Sequence, residues 1–266
     1  MLRETNVAAN RRKKDEIMAQ NPPKKSFAIR ANIFVLRLAR NWLRIALTVL
    51  AIYFILPIAA PVMMRAGMEG PARSIYLFYS PFCHQMVFRS FFLFGEQAVY
   101  PRADVPVTGS IAPFESVMGD LDAFDGVDMR GYDLELITAA RAFPGNDELG
   151  YKIALCQRDI FIYGALLLGG LVYSIPYVRR RLRPVPLWLY VLLGVGPIGI
   201  DGFSQLLSYP PFELWPLRET HPAFRVITGA LFGFMTAWLG FPYLEESFRD
   251  TRRVVASKLA RRGIHI

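Results

Sequence analysis

The stretch Leu187–Leu207, LWLYVLLGVGPIGIDGFSQLL, decides the fold, because Asp201 is the only charged residue in it. A run of about 20 predominantly apolar residues is what a helix needs to cross a bilayer. Three other runs carry no charge over similar lengths: Ile45–Met64, Ile160–Val178 and Val226–Leu244. Counting the stretch with Asp201 gives four spans, and an even number puts both termini on one side. A hydrophobic share of 53% over 266 residues agrees with an integral membrane protein.

Basic residues choose the side. Of 31 Lys and Arg, 11 precede the first run, four lie in Arg179–Arg183 and six follow the fourth. Lys and Arg beside spans stay cytoplasmic. Both termini and the short loop are therefore expected in the cytoplasm. The net charge of +9 sits beside the spans, where it attracts anionic lipid; bound lipid is expected and nucleic acid is not. The first apolar run begins too late for an ordinary cleaved signal peptide and reads as a retained signal anchor.

The expected class is all-α and integral to the membrane, N-in and C-in. Residues 1–44 hold a basic cytoplasmic tail and an amphipathic helix beginning at Phe27, followed by the first span (45–64). Residues 65–100 hold an outer interfacial helix, and 101–155 an acidic outer insertion. The second span (156–178), a cytoplasmic loop (179–186), the third span (187–207), an outer loop (208–225), the fourth span (226–244) and a basic tail (245–266) complete the chain.

The interfacial helix is SPFCHQMVFRSFFLFG, Ser80–Gly95. Ser80 and Pro81 look like a helix start and Gly95 a stop, which would put Cys83 in a first turn that favours thiolate. The insertion carries ten carboxylates against four basic groups. Within it, Asp133 is the expected cap of a short helix stopped by Pro144 and Gly145. The run from Asp120 to Asp128 misses the register of an EF-hand loop and reads as a solvated acidic loop. Cys156 and Asp159 share a helix face at the start of the second span. Small residues pair at Ala165 and Gly169 and at Gly229, Gly233 and Ala237, a pattern that permits close helix packing. Asp201 lies about 9 Å below the outer boundary at helical rise. An acid there needs a cation or a cavity, and Arg89, Arg158, Arg218 and Arg225 are all on its side.

Taken in order, Cys83-His84-Gln85 with Arg89-Ser90-Phe91, Cys156-x-Arg158 before Tyr163-Gly164, then Pro197, Asp201-Gly202, Gln205, Arg218-Glu219-Thr220, Arg225 and Thr228-Gly229 resemble a family of small multi-pass prokaryotic membrane proteins of unknown function. Its hallmarks are a Cys-His-Gln box and a later Cys-x-Arg-Cys box. The resemblance covers about Tyr79 to Leu239 without the insertion, and implies a shared fold, an inner (plasma) membrane location and a polar cluster, but no activity. Two departures stand out. The insertion is longer than the family's connector, and the last Cys of the second box is Asp159. The latter removes a CxxC redox pair and leaves a site better suited to zinc than to copper(I) or iron–sulfur.

The polar cluster expected on the outer face comprises Cys83, His84, Gln85, Arg89, Cys156, Arg158, Asp159, Asp201, Gln205, Arg218, Glu219 and Arg225. Two readings of its thiols stay open: a Cys83–Cys156 disulfide, or a site for zinc or another transition metal on Cys83, His84, Cys156 and Asp159. Cys83 and His84, as neighbours on a regular helix, would point about 100° apart, so sharing an ion would require a distorted turn. Three functions follow: a non-catalytic subunit or scaffold docking other membrane subunits through the insertion and the basic tail; a metal-binding or thiol-redox protein; and a transporter or proton path through Asp201. No catalytic constellation or nucleotide fingerprint is present.

Overall fold

The computed structural model describes residues 27–107 and 109–264. The basic tail at 1–26, with its expected docking role, lies outside the described residues. The helices are α1 (Phe27–Arg65), α2 (Glu69–Tyr79), α3 (Phe114–Met118), α4 (Leu134–Ala142), α5 (Gln157–Ser174), α6 (Pro176–Arg181), α7 (Leu187–Leu206) and α8 (Pro222–Ala260). Three strands, β1 (Ser90–Leu93), β2 (Gly145–Asn146) and β3 (Gly150–Cys156), form an antiparallel sheet in the order β1-β3-β2. The fold is therefore not all-α.

Among the described residues, three helices are long and apolar enough to cross a membrane: α1, α7 and α8. Among their exposed side chains are Val49, Ile52 and Ile55 of α1, Leu192, Ile200 and Phe203 of α7, and Ile227 and Phe234 of α8. The second expected span, α5, is not among the three. It opens with Gln157, Arg158 and Asp159 and spends its first turn on polar groups.

The chain divides into two units. The first joins residues 27–42 to 245–264. There Ile29, Ile33 and Leu36 bury one stripe of α1 against Val255 and Leu259, the i, i+4, i+7 spacing of one helix face. Trp42 donates to Glu245 at 2.9 Å and stacks on Phe248. The amphipathic segment thus packs on the chain's own C-terminal helix.

The second unit, residues 43–244, contains the sheet, the acidic lobe and most of the apolar helix length. The lobe has its own core, in which Phe88, Phe114 and Phe124 meet edge to face. Its carboxylates Asp120, Asp122, Asp125 and Asp128 are exposed, as a solvated loop requires. Asp133 accepts the Leu136 N–H at 2.8 Å and caps α4, which ends just before Pro144.

The expected helix over Pro81–Phe94 is absent. After α2 the chain turns, passes a 3-10 turn at Val87–Arg89 and pairs as β1 with β3. Ser90–Leu93 alternate buried and half-buried side chains, the period of a strand. Aromatic residues favour that state once a partner strand exists, and β3 supplies it from beyond the insertion. Pro81 follows the C-cap of α2 and starts no helix.

α5 and α8 pack closely through their small residues. A Cβ on Gly229 would come within 2.5 Å of the Arg158 carbonyl oxygen, and one on Gly169 within 2.5 Å of the Ala237 Cβ. Within α7, a π turn occupies Tyr190–Val195 just before Gly196 and Pro197. Pro197 has no N–H to return to the preceding turn, and the wider turn accommodates that loss.

Candidate functional site

The β1–β3 pairing sets Ser90 opposite Cys156, which draws the two cysteine boxes together. Cys156 is the N-cap residue of α5, and Asp159 lies in its first turn. Cys83 stands in the turn after α2, with its backbone N–H bonded to the Tyr79 carbonyl at 3.1 Å. It is not at a helix N-terminus, so no helix dipole favours its thiolate.

Gln85 holds that turn in place. It adopts a left-handed φ of 53°, a costly conformation for a side-chain-bearing residue unless its surroundings fix it. Its amide nitrogen donates to the carbonyls of Tyr76 at 2.8 Å and Ala154 at 2.9 Å. Its own carbonyl accepts from the buried Lys152 ammonium at 2.8 Å, which also donates to Ala140 and Arg141 at 3.2 and 2.7 Å. One amide and one ammonium therefore tie α2, β3, the C-terminal end of α4 and the cysteine turn together.

Cys83 Sγ accepts two backbone N–H groups, from Cys156 at 3.1 Å and from Gln85 at 3.4 Å. Cys156 Sγ donates to Asp159 Oδ2 at 3.1 Å. The three potential ligand atoms, two sulfurs and a carboxylate oxygen, lie within 4.8 Å of one another. Both cysteines are free thiols in this structure. His84 lines the same cavity but is exposed and outside this three-residue group. Cys83's acidity is weakened, first by the Cys156 thiol beside it, then by burial and the nearby Asp159 charge, against the Gln85 N–H.

The arginines sort onto two carboxylates. Glu219 receives Arg89 and Arg225, the Tyr209 hydroxyl, and the Gln205 amide at 2.6 Å. Asp201 receives Arg158, Arg218 at 3.2 Å and the Thr220 hydroxyl at 2.9 Å. Thr220 also reaches Gln205 at 3.5 Å and joins the two sets. Of the four arginines expected near Asp201, two pair with it and two with Glu219. Burial raises the Glu219 carboxyl's pKa, but Arg89 and Arg225 outweigh it and the net direction is down.

Sequence reasoning missed Tyr132 and Tyr209, and held Thr220 only as part of a motif. Tyr132 comes from the acidic lobe, accepts from Arg89 at 2.9 Å and stacks on Tyr209 with ring centres 3.9 Å apart. Nothing in its flanking residues marked it. Thr220 lies inside the Arg-Glu-Thr triplet and was within reach of motif reading.

Thiols and arginines face one cavity of about 380 Å³. Cys83, Cys156 and Asp159 line it together with Arg89, Arg158 and Arg225.

Residues 148–239 match the model of a family described as predicted membrane protein (DUF2085). An uncharacterized protein of Methanocaldococcus jannaschii is 30% identical over 98 residues, 36% of this chain and 56% of that protein. The chain thus spans about half the length of this curated relative. Both matches support an uncharacterised membrane-protein family. The family match takes in Cys156, Asp159, Asp201 and Glu219, and begins after the Cys-His-Gln box. No solved structure matches.

Proposed function

We propose that this chain is a four-span membrane protein of a prokaryotic inner membrane, with cytoplasmic termini, whose outward cavity binds a zinc-like divalent ion through Cys83, Cys156 and Asp159. The observation that carries this reading is the clustering of three ligand atoms within 4.8 Å at a cavity wall. Three protein ligands with a fourth position open to a cavity are the pattern of zinc sites that act on a bound molecule, whereas structural sites use four. The two N–H groups aimed at Cys83 Sγ match the outer-shell bonds that orient a thiolate ligand. Both thiols release their protons when the ion binds. Topology draws on the basic residues beside the spans and on α5, whose exposed Leu168, Leu171 and Val172 suit lipid.

Elemental analysis of protein purified under reducing conditions tests this. About one zinc per chain, lost in the Cys83→Ser and Cys156→Ser variants, is expected. No metal in the wild type, or metal retained in the double variant, overturns it. A Cys83–Cys156 disulfide is the competing outcome, read as two fewer free thiols without reductant.

Asp201 is engaged by Arg158, Arg218 and Thr220, which favours a clamp over a proton path. The lobe supports a second reading. With its apolar residues spent on its own core, its surface carboxylates suit docking to basic subunits of a larger assembly. Stoichiometric partners after purification in mild detergent support this, and a lone chain counts against it.

A further inference from the structure

We infer that the arginine wall of the same cavity binds a phosphate oxyanion. The argument begins with charge. Arg89 and Arg225 share Glu219, and Arg158 and Arg218 share Asp201, so four guanidinium groups meet two carboxylates. Asp159 offsets one of the two surplus charges, but it sits with the thiols and accepts from Cys156. Arg218 is 41% exposed, but the side chains of Arg89, Arg158 and Arg225 are only 12%, 19% and 3% exposed, and cations so buried are costly unless anions offset them. Arg158 adds a second sign, because its Nε is buried and has no hydrogen-bond partner among the described residues.

Geometry narrows the anion. Arg89, Arg158 and Arg225 all line the cavity; their carboxylate bonds run through Nε or Nη2, so each guanidinium fork keeps further N–H donors for an oxyanion. A carboxylate has two oxygens and satisfies one fork bidentately, whereas a phosphate group offers at least three acceptors and serves three arginines. At about 380 Å³ the cavity exceeds the volume of roughly ten waters at about 30 Å³ each, ample for a phosphate and its ester substituent. Exposed Phe82 lies on the cavity lining with Leu206. The phosphate therefore has two possible sources, a free phosphate of the outer compartment or an anionic phospholipid headgroup. Glu219 and Asp201 hold the arginines with or without an ion on the thiols, so the inference does not rest on metal binding.

The experiment titrates inorganic phosphate into the chelator-treated protein in detergent by calorimetry. In parallel, phosphatidylglycerol retained after detergent exchange is counted by mass spectrometry. Arg158→Gln removes one charge-assisted contact and is expected to weaken phosphate binding about tenfold or more. Asp159→Asn removes a repelling charge and is expected to tighten it. This second variant keeps the test sharp if Arg158→Gln folds poorly, and it separates the two sites, since the same change weakens zinc binding. Phosphate binding that moves in these opposite directions identifies a free-anion site. Lipid retention that Arg158→Gln abolishes and Asp159→Asn preserves, without binding of free phosphate, identifies a headgroup site. Absence of both ligands, or binding indifferent to both substitutions, overturns the inference.

Discussion

The backbone N–H of Cys156 points at the Sγ of Cys83, 3.1 Å away, so a hydrogen bond joins two cysteines from opposite sides of the acidic insertion. That bond fixes the Cys83 sulfur as an acceptor, while the Cys156 sulfur donates to Asp159. The two thiols are chemically unequal, and their inequality can be measured.

Cys83 is buried and its acidity is weakened, whereas Cys156 is half-buried. Because thiolate is the reactive form, each unit of raised pKa lowers reactivity about tenfold near neutral pH. N-ethylmaleimide at pH 7 is therefore expected to label Cys156 at least about tenfold faster than Cys83, the two being told apart by mass spectrometry of single-cysteine variants. Equal rates would contradict the arrangement.

Glu219→Gln keeps the shape of the side chain and removes the charge shared by Arg89 and Arg225. Stranding buried cations costs about 3–5 kcal/mol. A large fall in unfolding temperature in detergent is expected, well beyond that of an exposed exchange such as Glu69→Gln.

The same carboxylate sets an acid limit. Its folded pKa is depressed, below the unfolded value of about 4.3. Its stabilisation is therefore complete above about pH 4.3 and disappears as pH falls through the lower folded value. The stability gap between wild type and Glu219→Gln should hold from pH 7 to 5 and narrow below about pH 4.3. A gap that narrows already near pH 6 would refute this.

Lys152→Met leaves the carbonyls of Gln85, Ala140 and Arg141 without their shared donor. Each buried polar group left unsatisfied costs about 1–3 kcal/mol. The variant is expected to lose at least about 2 kcal/mol on that scale and to expose Cys83 to maleimide. Protected Cys83 in a folded variant would show that the ammonium does not hold the cysteine turn.

Gly229→Leu tests the α5–α8 contact, where a Cβ already meets the Arg158 carbonyl oxygen at 2.5 Å. Overpacking of about 1–3 kcal/mol is expected, with displacement of Arg158 and weaker phosphate binding. Gly240→Leu, at a position where a Cβ meets nothing within 4 Å, is the control and should change neither.

Much of this was legible where composition changes sharply. An acid inside an apolar run must find a cation, and Asp201 found Arg158 and Arg218 among the four candidates. Asp133 announced its cap because local geometry alone decides it. The strand at Ser90–Leu93 was not legible: its partner lies beyond the insertion, and local signals at Ser80-Pro81 fit a helix start as well as a helix end. Glu219 entered the candidate list, yet its place as the centre of a network was hidden, because an acid in a polar loop offers no contrast with its neighbours. Tyr132 was hidden for the same reason, inside an acidic segment whose fold depends on tertiary contacts.

The π turn at Tyr190–Val195 sets the rotational phase of everything after it in α7. One residue more or fewer in a helix turns the following face by about 100°. Asp201 and Gln205 meet Thr220 and Glu219 only because that extra residue is there. Deleting one residue between 190 and 195 would leave the segment just as apolar and just as able to enter a bilayer. It would also swing both polar side chains away from their partners and toward lipid. The polar site thus depends on a count of residues in a stretch that contributes no polar group to it.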